Sequence, residues 1–409
     1  MRAENAAGIR ASGQVGDQGM KIAFIVGSLE PGCDGVGDYS RALAAELLLQ
    51  GHCACVISLA DRRIDVVIEG TQEASGIAVT ALRIPDSLPW EQRVIVVRDF
   101  MQRSAVSHVS FQFVPYSYSP KGVIRTAVPF LLRVAEGRTT HVMFHELWIG
   151  NHIGASRKDR LVGTLQRHYL LRFLRRLAPA VVHTSNPAYA AFLSIKGIKA
   201  GILPLFGNIP VAADSGTVEA LGIFRNAEAD LSTLGRHAHW IGGIFGSIHP
   251  EWTPEPFFRE LADIASREKK SVVIAGMGRF GAKGDQIWSE MVRTWGDRFR
   301  FALLGPIEVE QLSHVFRVLD FGISTAPWRN FGKSSVGASM TDHGLPVIAT
   351  RDDWRPRLSI EVDYGERALL RRYEAGTLDN FPSFLARRCE PASTRPTVSK
   401  RFADALLGS

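Results

Sequence analysis

Four stretches of the chain gather residue types that bind anions or handle protons. The first is Glu30-Pro-Gly-Cys-Asp-Gly-Val-Gly-Asp-Tyr39, between a strand-like run and a helical pattern. Gly35 and Gly37 let main-chain amides approach a ligand closely, and the helix beyond offers its positive N-terminal end, so a phosphate or a sugar is welcome there. The competing reading is a structural turn with Asp38 as helix cap. Dinucleotide binding fits poorly: the third glycine of Gly-x-Gly-x-x-Gly falls on Ser40, and no acidic residue cleanly ends the second strand.

The second group is Ser110-Phe-Gln-Phe-Val-Pro-Tyr116 together with His141-Val-Met-Phe-His-Glu-Leu-Trp148. His145 and Glu146 stand at the end of a strand, which is where open α/β sheets bind ligands. The alternative for His145 is a half-buried ring bonded to a neighbouring loop, and for Glu146 a cap on the next segment. In the third group, Ile241-Gly-Gly-Ile-Phe-Gly-Ser247, Gly246 and Ser247 lead into a polar loop with His249 and Trp252, and Arg279 follows the next strand. Arg279 reads either as a phosphate cation or as a solvated loop arginine.

The fourth group runs from Trp328 to Thr350. Lys333, Ser334 and Ser335 open a helix here, so an ammonium, two hydroxyls and free amides converge where a diphosphate could lie. Gly332-Lys333-Ser334 also matches the end of a P-loop, but that pattern needs a glycine where Pro327 stands. Asp352-Asp353, flanked by Arg351 and Trp354, makes a poor metal pair.

The elements that must carry these groups alternate. Strand candidates at 21–28, 53–59, 108–114, 140–145 and 181–184 are separated by helix-length segments, the first with Tyr39, Ala42, Leu43 and Leu47 on one stripe. The alternation restarts at 239–243, 271–275, 299–304, 321–325 and 345–349, which predicts a second parallel sheet. The fold class is therefore α/β, with two doubly wound Rossmann-like domains facing a cleft. Expected boundaries are an N-terminal extension at 1–19, a first domain at 20–206, a linker at 207–235, a second domain at 236–375, and a tail at 376–409 whose last helix can pack back on the first domain. A chain of 409 residues suits two cores. With 45% hydrophobic and 22% charged residues, long disorder is excluded. No apolar run approaches the ~20 residues of a membrane span, and residues 1–19 lack the apolar centre of a secretion signal. Cys33, Cys53, Cys55 and Cys389 have neither zinc spacing nor disulfide-scaffold density, which suits a reducing cytoplasm. The net charge of +7 suits an anionic partner; nucleic acid is disfavoured because no aromatic-basic interleaving of a known module accompanies it.

From Lys21 to about Thr350 the chain resembles retaining GT-B glycosyltransferases of the group 1 type. The resemblance rests on Asp34-Gly-Val-Gly-Asp-Tyr-Ser-Arg after the first strand, on His145, on Gly246-Ser247 and on Gly344, Pro346 and Val347 before a Val-Ile-Ala strand. It implies that Gly35, Val36 and Gly37 face the donor diphosphate, with Asp38 near the acceptor. It also implies that His145 contacts the donor sugar, with Glu146 and Tyr116 on the acceptor side, and that Gly246, Ser247, Arg279, Ser334, Ser335 and Ser339 hold the donor. Where the family carries two glutamates, Phe331 and Ser339 stand here, and the Arg and Lys usual after the third group are missing. Lys333 then becomes the cation for the leaving diphosphate.

The implied reaction moves a sugar from a nucleotide-diphosphate donor to a glycan or lipid-linked acceptor. It proceeds with retention and uses no metal or resident cofactor. A catalytically degenerate binding subunit is the alternative. Residues 157–176 form an amphipathic pattern with Leu161, Leu165, Tyr169, Phe173 and Leu177 on one stripe and seven Lys or Arg against one Asp. Such a helix can lie on an anionic membrane, although a crossover helix with one buried stripe is the simpler reading.

Overall fold

The structure, a computed structural model, describes residues 19–214, 216–226, 238–359, 361–365 and 367–408. The expected extension therefore lies outside the described residues, except for Gly19. The first sheet contains β1 (Lys21–Val26), β2 (Cys53–Asp61), β3 (Ile68–Ala74), β4 (Ile77–Pro85), β5 (His108–Phe113), β6 (Thr139–Phe144), β7 (Val181–Thr184) and β8 (Gly201–Ile202). Their order is β3-β4-β2-β1-β5-β6-β7-β8, and every pairing is parallel except β3 with β4. Central strands such as β1 are buried after their first residue because helices cover both faces, which explains their unbroken apolar runs.

The β3–β4 hairpin was not expected. Its turn is Ser75-Gly76, both with positive φ (52° and 78°), as a two-residue hairpin of matching twist requires. The polar, mostly exposed β3 blunts the sheet edge, so it lacks the apolar pattern that marks the other strands.

The second sheet contains β9 (His239–Phe245), β10 (Ser271–Met277), β11 (Arg300–Gly305), β12 (Phe321–Pro327), β13 (Val347–Arg351) and β14 (Leu370–Arg372). Its order is β11-β10-β9-β12-β13-β14, parallel throughout. The second core reaches beyond the expected boundaries on both sides. Ala220 and Phe224 of helix Thr217–Asn226 pack into it, and so do Leu378, Phe381 and Phe384. Residues 227–235 of the expected linker lie outside the described residues. After residue 390 the chain returns to the first lobe: in helix Arg395–Leu407, Phe402 packs 5.5 Å from Phe24 and 4.9 Å from His141 between ring centroids.

One helix is rotated from its expected setting. In helix Arg157–Leu177 the buried face is Gly163, Gln166, Leu170, Leu171, Phe173 and Leu174, whereas Leu161 and Leu165 are 68% and 47% exposed. The cause is local. Gly163 meets the Ile149 carbonyl so closely that any Cβ would collide with it, and the Gln166 side chain accepts from Ile149 N and donates to the Lys121 carbonyl. These contacts fix which side of the helix faces the sheet.

The lobes meet through specific contacts as well as through the chain crossings. Asn186, just beyond β7, donates to Asn330 Oδ1 at 3.0 Å and to the Arg329 carbonyl at 3.2 Å. Gly332 lies directly against the Ser185 carbonyl. Beside the crossing, Gly207 N donates to Asp342 and Asn208 N donates to Ser339 Oγ, both at 3.0 Å. Gly332→Ala should therefore push the lobes apart at a cost of roughly 1–3 kcal/mol. We expect differential scanning calorimetry to show a thermal midpoint several degrees lower, whereas Gly222→Ala, which has open space around it, stays level or rises.

Candidate active site

Both sheets turn the carboxyl ends of their strands toward one interlobe crevice, the expected location of a ligand in open α/β sheets. On the second lobe a cavity of about 440 Å³ is lined by Ser247, His249, Lys283, Thr325, Ser334 and Val336 among others. Ser334 caps helix Ser335–Asp342, its Oγ accepting from Gly337 N at 3.0 Å. The first-turn amides of Ser335 and Val336 have no acceptor within the helix and favour an anion. Gly246 leaves β9 with φ of 76°, the left-handed conformation that suits glycine. Its amide donates to the Met277 carbonyl at 2.9 Å, so Gly246 shapes the loop and leaves ligand contact to its neighbours.

Between the lobes a second cavity, of about 450 Å³, is lined by His152, His249, Asn330, Lys333, Ser334 and Arg351 among others. Ser334 and His249 border both spaces. Lys333 spans the crevice: its Nζ donates to Tyr189 Oη at 2.9 Å, sits 5.0 Å from that ring's centroid and lies 3.9 Å from Glu146. Burial works against its charge, but Tyr189 and Glu146 outweigh burial and raise the pKa, so Lys333 remains cationic.

His145 occupies the facing wall, edge-on to Tyr39 at 5.2 Å between centroids. It heads a buried chain of hydrogen bonds: His145 Nε2 to Gln112 Oε1 (2.8 Å), Gln112 Nε2 to Ser110 Oγ (2.7 Å), Ser110 Oγ to His141 Nδ1 (2.8 Å) and His141 Nε2 to His183 Nδ1 (3.1 Å). With the Gln112 oxygen as acceptor, His145 carries its proton on Nε2 and keeps Nδ1 as an acceptor. Burial, and secondly the Lys333 charge, push the His145 pKa down to about 3. The ring is therefore neutral near pH 7 and suits polar contact better than proton donation.

Several expected roles change. Asp34, not Asp38, caps the first helix, and its carboxylate accepts from Val36 N and Gly37 N, both at 2.9 Å. Those two amides are consumed, and a negative charge stands where a diphosphate was expected. Gly35 remains open. Asp38 pairs with Arg41 and accepts from Gly32 N at 3.1 Å, and burial raises its pKa. Ser339 is buried; its Oγ donates to the Ser335 carbonyl and accepts from Asn208 N, so it holds the chain crossing. Arg279 is exposed on its loop, while Lys283, in the first turn of helix Ala282–Trp295, borders the cavity.

Asp61 does end β2, contrary to expectation, but Arg83 (2.8 Å) and the Leu29 amide (3.2 Å) occupy it. Tyr116 lines a separate cavity of about 290 Å³ on the first lobe, with Ser28, Asp34, Arg62 and Arg63. Asp352 is held by Arg329 and Arg372, and among the described residues no three His, Cys, Asp or Glu gather as a metal site. Lys283, Gln112 and Tyr189 were not singled out from sequence. Lys283 sits four residues beyond Arg279 at a helix start, which is the signal that could have found it.

No protein-family profile matches the chain, and no curated protein matches it. Solved structures do. HepE of Anabaena, in complex with UDP, superposes with a TM-score of 0.56 at 15% identity, covering 95% of this chain and 100% of that one. A glycosyltransferase from Rickettsia africae gives 0.53 at 9%, covering 96% and 94%. A putative UDP-N-acetylglucosamine 2-epimerase from Listeria monocytogenes gives 0.53 at 12%, covering 95% and 96%. At these identities the likeness is one of architecture, and it establishes that the chain has the GT-B fold, two Rossmann-like lobes facing a crevice.

Proposed function

We propose that the chain is a hexosyltransferase-type glycosyltransferase that moves a sugar from a nucleotide-diphosphate donor to an acceptor hydroxyl. The observation that carries this reading is the reach of Lys333, at the start of the second lobe's helix Ser335–Asp342 with its open amides, to within 3.9 Å of Glu146, the residue that follows His145 on the first lobe. An anion-binding helix start lies on one wall and polar, protonatable groups on the other. The names of the structural neighbours agree, since a UDP complex and a UDP-sugar epimerase are among them.

In this reading the nucleotide lies on the second lobe, with its diphosphate at Ser334, Ser335 and Ser247. Lys333 leaves Tyr189 to meet the charge that grows on the departing diphosphate. Glu146 is the carboxylate beside Lys333, and the carboxylates that line the interlobe cavity, Glu251 and Asp353, are both paired with Arg351. Retention then follows from attack on the donor's own face, the diphosphate oxygen taking the acceptor's proton. His145, neutral and pinned by Gln112, accepts a hydrogen bond from a donor-sugar hydroxyl through Nδ1. Lys283 supplies one of the cations missing from the family pattern. A degenerate binding subunit remains the second reading, favoured by the use of Ser339 to hold the chain crossing.

The acceptor we propose is a glycan or glycolipid of cell-surface polysaccharide synthesis, met by a cytoplasmic enzyme at the inner membrane face. The support is helix Arg157–Leu177. Its outward side shows Leu161 and Leu165 among Arg157, Lys158, Arg172, Arg175 and Arg176, an arrangement of apolar centre and cationic flank that suits an anionic bilayer. Among the described residues no helix is long and apolar enough to cross a membrane.

Three outcomes follow. In a thermal-shift panel of UDP-, GDP- and ADP-sugars one donor should raise the midpoint, and Lys333→Ala should lower its turnover about 10²–10³-fold with the fold intact. Unchanged turnover removes Lys333 from the mechanism, and donor binding without transfer or hydrolysis selects the binding-subunit reading. Because the His145 pKa lies at about 3, the ring protonates only far below neutrality, and the pH–rate profile between about 5 and 8 should carry no inflection from it. A wild-type inflection that vanishes in His145→Gln contradicts this. Finally, Leu161→Ser/Leu165→Ser should release the protein from phosphatidylglycerol vesicles in a flotation assay without changing its thermal midpoint.

A further inference from the structure

A cavity of about 430 Å³ on the first lobe's flank belongs to none of the spaces described above. It is walled by the loop Trp148–Asn151, by helix Arg157–Leu177 and by the end of helix Pro187–Ser194, and it is roofed by the segment after β13 that reaches over from the second lobe. That roof is fixed in place: Ile153 N donates to the Arg355 carbonyl and Arg357 N to the Asn151 carbonyl, both at 2.8 Å. Four cations, Arg160, Arg167, Lys196 and Arg357, border the space, and no carboxylate lines it. Arg167 lies 6.0 Å from the centroid of the buried Trp148 ring.

Several arginines in and around the crevice are already paired. Arg83 pairs with Asp61 and Glu30, Arg329 and Arg372 with Asp352, and Arg351 with Asp353 and Glu251. None of the four cavity cations makes an ion pair among the described residues. Four like charges drawn from three separate segments border one space; Arg160, Lys196 and Arg357 are exposed and Arg167 is half-buried, so they are open to an anion arriving from solvent. Three of them are guanidiniums, whose planar forks match phosphoryl oxygens. Asn151, Thr164 and Ser359 add polar groups to the same wall, and the volume lies within the usual range for a small-ligand site.

We propose that this cavity is a second anion site, distinct from the donor crevice, and that it takes a phosphoryl or diphosphoryl group carried by the acceptor. The acceptor assignment rests on the transfer reading above: the Trp148–Asn151 wall continues the loop that bears His145 and Glu146, and the cavity lies mainly in the first lobe. The anion site itself needs only the charges.

The test is isothermal titration of inorganic pyrophosphate into the full chain carrying Lys283→Ala/Lys333→Ala, which removes both cations assigned to the donor crevice, so that any signal left from its amides is common to all the cavity variants. Binding is expected, and adding Arg160→Ala/Arg357→Ala should weaken it by about tenfold or more, with Lys196→Glu, at an exposed position, as an independent variant. Vesicles of phosphatidylcholine with phosphatidylglycerol distinguish the two phosphate sources. If they displace pyrophosphate from the cavity, the group is a lipid phosphate; if they do not, it belongs to a soluble phosphorylated acceptor. Absence of binding, or affinity unchanged by both variants, overturns the proposal. A cavity that binds while no nucleotide sugar shifts the thermal midpoint retains the anion site and rejects the transfer reading alone.

Discussion

The arrangement depends on how closely the loop after β12 approaches the end of β7. Gly332 against the Ser185 carbonyl, Asn330 bonded to Asn186 and Lys333 bonded to Tyr189 hold the start of helix Ser335–Asp342 opposite His145. A side chain at 332 would separate the two walls, and the cation and the imidazole would then lie on unrelated surfaces. The same approach adds the Lys333 charge to burial, the larger cause, in lowering the pKa of His145.

The two walls are built by different means. The second lobe offers fixed dipoles and hydroxyls at a helix start, together with Lys283, so the chemistry of its own cavity is anion binding. The first lobe buries a polar chain beneath its sheet ends. Ser110, Gln112, His141 and His183 fix the orientation of His145, and their desolvation is offset because His145 Nε2, both nitrogens of His141 and His183 Nδ1 find partners. His141 is held well below its ordinary pKa by burial and its two neighbouring histidines, and His183 is pushed down to about 4 by burial and Arg401. A run of neutral rings therefore sits under the crevice near pH 7.

Much of this was legible in the residues. Strand and helix alternation repeats twice with buried apolar runs, so the two Rossmann-like lobes followed from periodicity; His145 was singled out by the rule that ligands meet strand carboxyl ends, and Lys333 by its place at a helix start beside two serines. What escaped reading depended on contacts between distant segments. The face of helix Arg157–Leu177 is set by Gly163 meeting Ile149, which no helical period encodes. The sequence pattern points to Asp38 as the cap, and only the backbone shows that Asp34 takes the amides of Val36 and Gly37. Ser339 holds the chain crossing because Asn208, 131 residues away, reaches it. The β3–β4 hairpin carried only Ser75-Gly76 as a signal, without an apolar stripe.

The most direct test of the crevice is amide chemical-shift mapping on the labelled chain titrated with UDP. The account predicts that the largest perturbations fall on Ser335 and Val336, with smaller ones on Ser247 and Lys283. Perturbations centred on Val36 and Gly37, or none at the start of helix Ser335–Asp342, would contradict it.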